Sequence, residues 1–416
     1  MKEANPAGAD GERAAVGFLL AFARAQHAYG TAVHLLEEQC AVLAARLGVR
    51  AQFLATPTSI MVSVGPPDAE RIHMIRTDPG EQDLGRLTEV HAVAGRVLAG
   101  ALTPDAGAAQ LAAIERQPPR YGPALTTLAF GCSSLAAARF LGGNVREMTA
   151  ATAIGLVIGL LAALAQRRPA LGRTFEPLAG CVAAALATAA AAGLGPMSVY
   201  VATLAGIIIL IPGFAITVGM TELSSRHWVA GTARLSGAFV TFVSIAIGVA
   251  IGSRVMAALL GAPHTLDPEP LPPWTEALAL PVASLSFMVL LKAHARDGPW
   301  ILAAGAVALA GGRLGAFVLG PELGVFVGSL IVGLASSAYA VMLRRPGAVT
   351  RVPGILLLVP GSIGFRSLTS LLDRQVLPGV ETAFRMILMA TALAAGLLIA
   401  NVISPAQIAD RRRRPR

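Results

Sequence analysis

The chain of 416 residues is 55% hydrophobic and only 14% charged, and its mean hydropathy of +0.65 excludes an ordinary soluble globular protein. Its formal net charge of +9 is uneven, with net −2 in residues 1–120 and net +11 in residues 121–416. Most basic residues flank apolar segments, which argues against a nucleic-acid-binding surface. These values indicate an integral membrane protein preceded by a soluble region.

No leader segment or disulfide framework is expected. The stretch VGFLLAFARAQ is interrupted by Arg24, and no small-residue cleavage site follows it, so we expect residues 1–120 to stay in the cytoplasm. Cys40, Cys132 and Cys181 are too far apart for a disulfide pattern or a metal-ligand spacing. We therefore expect no metal and no cofactor.

The soluble region is predicted to be a small α/β domain of about 100 residues, large enough for its own core. Helical spacing is broken at Gly30 and ended by Gly48, and Thr103 before Pro104 is a strong helix start. Thr56, Pro57 and Thr58 are placed at the start of a strand, because proline lacks a ladder donor. The predicted helices are 13–29, 31–47, 83–99 and 104–116, and the strand segments are 51–64 and 70–77 around a turn at 65–68.

Residue types that could support catalysis are scattered through this region. His34 and Glu37 share a helix face, while His27, His73 and His91 lie apart, with no recognisable Ser/His/Asp order and no HExxH. We interpret these histidines as solvated or structural, and we expect no enzyme.

Ten apolar segments follow, and most approach the roughly 20 residues that a bilayer core requires. They are 121–141, 149–165, 177–194, 198–218, 235–259, 275–293, 299–313, 321–343, 352–372 and 384–404, the second and seventh being short. If the first helix starts in the cytoplasm, the cytoplasmic loops and tail carry 15 Lys and Arg against 7 on the other side. This bias predicts that both termini are cytoplasmic.

Two Pro-Gly pairs interrupt apolar segments at matching positions. Pro212-Gly213 lies in LIPGFAITVGMTEL and Pro360-Gly361 in LVPGSIGFRSLTSL, 148 residues apart and each four helices into a five-helix unit. Because five is odd, the second unit enters the membrane from the opposite side, which is the inverted repeat of many secondary transporters. We predict membrane repeats at 121–260 and 275–404, followed by a basic tail at 405–416.

The paired breaks are the predicted binding site. A broken helix is tolerated in lipid only where it faces protein or a water-filled cavity, so the two breaks are expected to meet between the repeats. Half-helix N-termini would then offer N–H groups to an anionic ligand group such as a carboxylate. The alternative is a simple kink. Glycines spaced at four, at 155/159, 248/252 and 320/324/328, are interpreted as helix-packing positions.

The stretch IPGFAITVGMTELSSRHWVAGTARLSG (211–237) resembles the threonine/serine exporter family, with a Pro-Gly, an acidic residue and a Gly-Thr-Ala-Arg-Leu ending. YGTAVHLLEEQCAVLAARLG (29–48) with TPTSI (56–60) resembles the family's soluble region, and VPGILLLVPGSIGF (352–365) its second half. The resemblance implies an inner-membrane carrier that exports small hydroxy amino acids using the proton motive force. Split-subunit members imply a dicarboxylate instead. The residues carried over are Pro212, Gly213, Glu222, Arg234, Pro353, Gly354, Pro360 and Gly361.

Charged residues near the breaks have two readings each. Glu222 is either a proton carrier or partner of a substrate ammonium, or one half of an interfacial pair with Arg226 four residues on. Arg366 is either a carboxylate partner from the second repeat or a side chain that snorkels to the surface.

The leading hypothesis is a proton-coupled exporter of threonine or serine in the bacterial inner membrane, with a small amino acid, protons and lipid as partners and no nucleic acid. A dicarboxylate exporter, using Arg366 with Arg254 or Arg313, is the alternative within transport. A membrane enzyme with a hydrolase-like soluble domain and a scaffold or sensor are alternatives of other classes. A homo-oligomer stays open.

Overall fold

The computed structural model describes residues 6–78, 80–261, 266, 268–269 and 271–404. The basic tail predicted at 405–416, with its arginines, lies outside the described residues. Within the described part the chain is mostly helical, with one small sheet.

The first part of the chain folds as a unit of four helices and a three-stranded antiparallel sheet in the order β1-β2-β3, hereafter the N-terminal unit. Apolar faces of α1, α2 and α3 and the inward side of the sheet form its core. The outward side leaves Ile72 and Met74 exposed. The elements are α1 (Pro6–Ala28), α2 (Val33–Arg46), β1 (Ala51–Thr56), β2 (Ser59–Val64), β3 (Arg71–Arg76), α3 (Leu84–Leu98) and α4 (Pro104–Glu115).

Local turn chemistry explains one success and one error in this unit. The Thr103 hydroxyl accepts the Ala106 N–H at 3.3 Å and caps α4, which confirms that helix start. The placement of Pro57 and Thr58 inside a strand start was wrong. They form a turn between β1 and β2, closed by the Thr56 hydroxyl, which accepts the Ser59 N–H at 3.0 Å.

Thirteen α-helices lie in the remainder of the described chain, with short 3-10 turns at Ile208–Leu210 and Ala295–Asp297. They are α5 (Pro123–Phe140), α6 (Val145–Arg167), α7 (Pro169–Gly172), α8 (Phe175–Leu194), α9 (Val199–Gly206), α10 (Gly213–Ser224), α11 (Trp228–Leu260), α12 (Thr275–Leu290), α13 (Gly298–Leu319), α14 (Pro321–Leu343), α15 (Ala348–Leu356), α16 (Gly361–Leu372) and α17 (Val376–Ile403).

Every predicted apolar segment overlaps one or two of these helices. Among the described residues, seven spans are long and apolar enough to cross a membrane, and an eighth is added if the bent pair α9 and α10 counts as one. The shorter α12 has 16 residues, and α5 is not among the seven. The molecule is a membrane protein with multiple spans.

The expectation that the second and seventh segments are short was wrong. Helix α6 has 23 residues and α13 has 22. Helix α6 begins in polar sequence before its apolar run, whereas α13 continues past Arg313 to Leu319. In α6 a capping box between Asn144 and Glu147 satisfies the first backbone groups, so the helix extends beyond the hydrophobic stretch that hydropathy detects.

Close helix packing uses the glycine spacing as predicted. A Cβ at Gly248 would lie 2.0 Å from the carbonyl oxygen of Pro177, and one at Gly252 would lie 2.1 Å from that of Cys181, so α11 and α8 touch through backbone. Gly320 differs from its neighbours in the series. Its φ of +85° ends α13, where a left-handed backbone favours glycine.

The N-terminal unit is joined to one end of the helical region, at the surface we call the junction. The Leu84 N–H donates to the Leu291 carbonyl at 2.9 Å, and the Tyr121 hydroxyl donates to the Ala293 carbonyl at 2.7 Å. Lys292 and Glu81 form an ion pair at 2.9 Å. Hydrogen bonds to two backbone carbonyls after α12 therefore hold the junction together, with an ion pair in addition.

Candidate functional site

Two helix breaks with the same local backbone lie in the helical region. Pro212, between α9 and α10, has φ −78° and ψ 34°, and Pro360, between α15 and α16, has φ −81° and ψ 33°. Helices α10 and α16 have 12 residues each. Both are followed by an arginine with positive φ, Arg226 at 66° and Arg374 at 61°. The matched geometry extends the matched sequence positions to the level of backbone conformation.

The two breaks meet in the fold. A Cβ at Gly213 would lie 2.9 Å from the Gly361 Cα and 3.0 Å from its nitrogen, so the two chains approach through their backbones. Both glycines are buried. This contact also brings together the starts of α10 and α16. The first N–H groups of a helix lack intrahelical acceptors, so two sets of such N–H groups lie close to each other here.

Glu222 lies near the C-terminal end of α10 and has no exposed surface. Its carboxylate accepts two hydrogen bonds from Arg234 on α11, from Nε at 3.0 Å and from Nη2 at 3.1 Å. It also accepts the N–H of Val33, the first residue of α2, at 3.1 Å. The carboxylate therefore joins two helices of the helical region to the N-terminal unit and occupies the favourable N-terminal end of α2.

The second reading of Glu222, an interfacial pair with Arg226, was wrong. Helix α10 ends at Ser224, and the left-handed backbone of Arg226 turns the chain toward α11, so Arg226 is exposed and does not face Glu222. The spacing of four residues applies only within one continuous helix. Arg234 reaches the carboxylate because α11 runs back alongside α10.

The other predicted residues have different surroundings. Pro353 and Gly354 lie inside α15 and are buried. Helix α15 continues through them to Leu356, and a Cβ at Gly354 would lie 2.9 Å from a Val332 methyl carbon. Arg366 on α16 is exposed, at the same end of the helical region as Tyr200, whose ring stacks on Phe365 at 6.3 Å between centroids. The structure thus brings together the Pro-Gly breaks, but it leaves Arg366 apart from Glu222.

A cavity of about 220 Å³ lies at the junction. Three surfaces enclose it: the start of α2 and the preceding loop, the α10 face with Phe214, Thr217 and Thr221, and the start of α15 with the ends of α14 and α17. Its polar lining side chains in the described residues are Thr31, His34, Gln39, Gln82, His91, Thr217, Thr221, Ser336, Ser337, Arg351 and Asn401.

The N-terminal unit contributes neutral histidines to this cavity. Burial is the main cause that lowers the pKa of His34 to about 3, and electrostatic repulsion from Arg351, His227 and Arg234 adds to it. Burial alone lowers the pKa of His91 to about 4. Near neutral pH both rings are uncharged, and Arg351 is the only Lys or Arg among the described lining residues.

Sequence reasoning missed Arg351 and treated it as one of several cytoplasmic loop charges. The structure places it in the first turns of α15, where it lines the cavity. Its position two residues before Pro353, beside a motif already chosen, was an available signal. Glu37, for which the sequence suggested no partner, accepts the Ala55 N–H at 2.7 Å and contacts the His227 ring nitrogen at 3.2 Å across the junction.

Two buried acidic residues were also not identified from the sequence. Glu147, at the start of α6, is fully buried and accepts the N–H groups of Asn144 and Ser198. Asp297, at the start of α13, is 1% exposed and pairs with Arg345. Each carboxylate holds the loop that leads into one of the two broken segments, Ser198 before α9 and Arg345 before α15.

Two consecutive family models described as threonine/serine exporter match residues 17–256 and residues 276–403, which together cover most of the chain. The chain belongs to the threonine/serine exporter family. Within this family the first model spans the N-terminal unit and α5 to most of α11, and the second spans α12 to α17. The boundary between them falls in the segment that joins α11 to α12.

Among curated relatives, this exporter-family chain is similar to fungal proteins called pheromone-regulated membrane protein 10. It is 27% identical to that of Saccharomyces cerevisiae, over 88% of this chain and 48% of the relative. It is 24% identical to that of Eremothecium gossypii, over 89% of this chain and 50% of the relative. The chain spans about half the length, or less, of the curated relatives it matches. No solved structure matches.

Proposed function

We propose that this chain is a secondary transporter that exports a small amino acid, threonine or serine, through a site at the two helix breaks. The observation that supports this best is the contact between Gly213 and Gly361. Breaks that met lipid would leave backbone groups without partners, whereas breaks that meet between two halves can serve a ligand. Membership of the exporter family supports the same function.

We also propose the architecture that such a transporter requires: two inverted five-span repeats at 121–260 and 275–404, after a cytoplasmic domain at 1–120. Three features support it. The breaks share one backbone conformation, α10 and α16 have equal lengths, and Glu147 and Asp297 occupy corresponding places before them. With an odd number of spans per repeat, these corresponding places lie on opposite sides of the membrane.

The proposed orientation places the junction at the cytoplasmic side of a bacterial inner membrane, with both termini cytoplasmic. The basic residues assigned to that side by sequence, including Arg234, Lys292 and Arg345, lie at the end of the helical region that carries the N-terminal unit. Arg139, Arg313 and Arg385 belong to a different set, which pairs with Glu276, Glu322 and Glu381. This separation is consistent with the positive-inside rule.

For coupling, we propose protons that act through Glu222. Protonation would remove the charge that the two Arg234 hydrogen bonds require, and it would weaken the bond from Val33. A proton could thereby loosen α10 from both α11 and the N-terminal unit. Arg226 has no role in this step.

The test is efflux from bacteria preloaded with dipeptides of threonine or serine. We expect the intact chain to accelerate efflux relative to an empty vector, an uncoupler to abolish the difference, and Glu222→Gln to weaken its dependence on external pH. Succinate efflux is measured in parallel. Faster succinate efflux with unchanged amino-acid efflux would replace the proposed substrate with a dicarboxylate. No acceleration of either, despite membrane expression, would contradict the transport proposal.

A further inference from the structure

We propose that the junction cavity is a binding site for a small amino acid in its zwitterionic form, with Arg351 holding the carboxylate and α10 hydroxyls receiving the ammonium group. This inference rests on the proposed transport function and assigns its substrate contacts to residues outside the Pro-Gly pairs.

The charge of the lining favours a carboxylate. Arg351 is its only Lys or Arg among the described residues, and no Asp or Glu of the described chain lines the cavity. The carboxylate that acts electrostatically on Arg351 is Glu38, which stands outside this lining. The planar guanidinium can donate two parallel hydrogen bonds to a carboxylate, a geometry that a lysine cannot reproduce.

Hydroxyls on the α10 wall, together with one on α14, favour an ammonium group. Thr217 donates to the Gly213 carbonyl at 3.1 Å and Thr221 to the Thr217 carbonyl at 2.8 Å, while Ser337 on α14 donates to the Gly333 carbonyl at 3.0 Å. Each hydroxyl has thereby used its only proton, and its oxygen lone pairs remain as acceptors. The first partner of Thr217 is the backbone of Gly213 itself, so this wall is continuous with the helix break.

The size of the cavity selects a small solute. At about 220 Å³ it is below the roughly 300–1,000 Å³ of pockets that bind drug-sized ligands. The walls come from three parts of the chain: α10, α15 with its neighbours, and the N-terminal unit. A ligand bound there touches both halves of the helical region.

The experiment measures binding by the purified full chain in nanodiscs, using radiolabelled serine, with unlabelled serine, threonine, serinamide and succinate as competitors. We expect serine and threonine to compete and serinamide, which lacks the carboxylate, to fail. Arg351→Gln is expected to weaken serine binding about 10- to 100-fold, and Arg351→Lys less, because the charge remains but the fork is lost.

The matched control is Arg344→Gln. Arg344 is exposed near the start of α15, at the same end of the helical region, and does not line the cavity. We expect this variant to bind serine as the wild type does. Wild-type serine affinity in Arg351→Gln, with an unchanged elution profile, would overturn the inference, and so would competition by serinamide equal to that by serine. If Arg351→Gln fails to fold, Arg351→Lys carries the same test.

The outcomes separate this inference from the proposed function. Export by the wild type, together with normal binding in the Arg351 variants, leaves the function and removes the site. Arg351-dependent binding without any export keeps the site and removes the transport proposal. Competition by succinate alone, lost in Arg351→Gln, keeps the carboxylate contact but overturns the amino-acid assignment.

Discussion

The two broken segments begin alike and end differently. Pro212 and Pro360 share one backbone conformation, and each opens a helix of 12 residues. The first helix ends beside Glu222, which is buried and paired with Arg234. The corresponding positions 148 residues later are Ser370 and Thr382, neither of which is charged, and the exposed residues Asp373 and Arg374 follow the end of α16.

This difference distinguishes the residues that form the helix break from the residues that dock the N-terminal unit. The Pro-Gly geometry occurs in both halves, so it belongs to the helical region itself. The buried pair of Glu222 and Arg234 lies where α2 is docked, and the Glu222 carboxylate also accepts the Val33 N–H of that helix. The pair is therefore an adaptation of one half to its soluble neighbour.

The largest expected effect is that of Arg234→Ala. It leaves the fully buried Glu222 without its cationic partner, and removing one member of a buried ion pair costs about 3–5 kcal/mol of stability. The measurements are the midpoint of chemical unfolding and proteolysis of the loop before α2. Glu222→Gln is expected to cost less, since Arg234 is 27% exposed and can be hydrated.

The control in the other half is Arg366→Ala on α16. Its side chain is exposed, so we expect a change within about 0.5 kcal/mol. Similar losses in Arg234→Ala and Arg366→Ala would show that the two segments end in equivalent ways and would contradict the comparison.

A smaller effect is expected for methyl groups at the contact between the breaks. In Gly213→Ala the new Cβ would meet the Gly361 backbone at 2.9 Å, whereas in Gly361→Ala it would first meet a methyl of Ile211, at 2.7 Å. Side chains yield more easily than backbone. We expect overpacking of about 1–3 kcal/mol in the first variant and less in the second, measured as thermal unfolding in detergent. Equal stability of Gly213→Ala and the wild type would disprove the close approach.

The prolines are expected to affect transport more than stability. In Pro212→Ala with Pro360→Ala, the restored N–H groups and the lost ring clash allow each break to continue as helix. We expect normal membrane insertion but a several-fold lower efflux of serine. Each single variant measures the contribution of one break. Normal flux in the double variant would contradict the role proposed for the breaks.

The smallest expected effect concerns pH and His34. Burial lowers the pKa of this ring to about 3 in the folded chain, against about 6.5 when it is exposed. Its contribution to docking is therefore complete above about pH 6.5 and is lost as pH falls toward 3, because the undocked ring takes up the proton first. We expect His34→Gln to reduce the loss of stability between pH 7.5 and 5 by on the order of 1 kcal/mol, after allowing for solvent screening. An unchanged pH slope would show that His34 is not the group responsible.

Local sequence signals located most helices, but they did not identify the side chains that meet between distant segments. The ten apolar segments were found because hydropathy and helical length are properties of adjacent residues. Thr103 was identified as a cap for the same reason. The sequence offered Arg226 as one possible partner of Glu222 because it stands at the helical spacing, while the actual partner, Arg234, depends on how α11 returns. Arg351 was missed because its cavity exists only when three distant segments meet.

The order of synthesis has a consequence for the junction. Three of the hydrogen bonds across it, from Tyr121, Val33 and Lys292, join residues 172, 189 and 211 positions apart in the chain. At about 5–20 residues per second, the ribosome reaches the later partner roughly 10–40 s after the earlier one. The N-terminal unit can therefore fold long before its docking surface exists. Docking is a late step of maturation, and a chain stopped before Arg234 would carry a folded unit with Glu222 still unpaired.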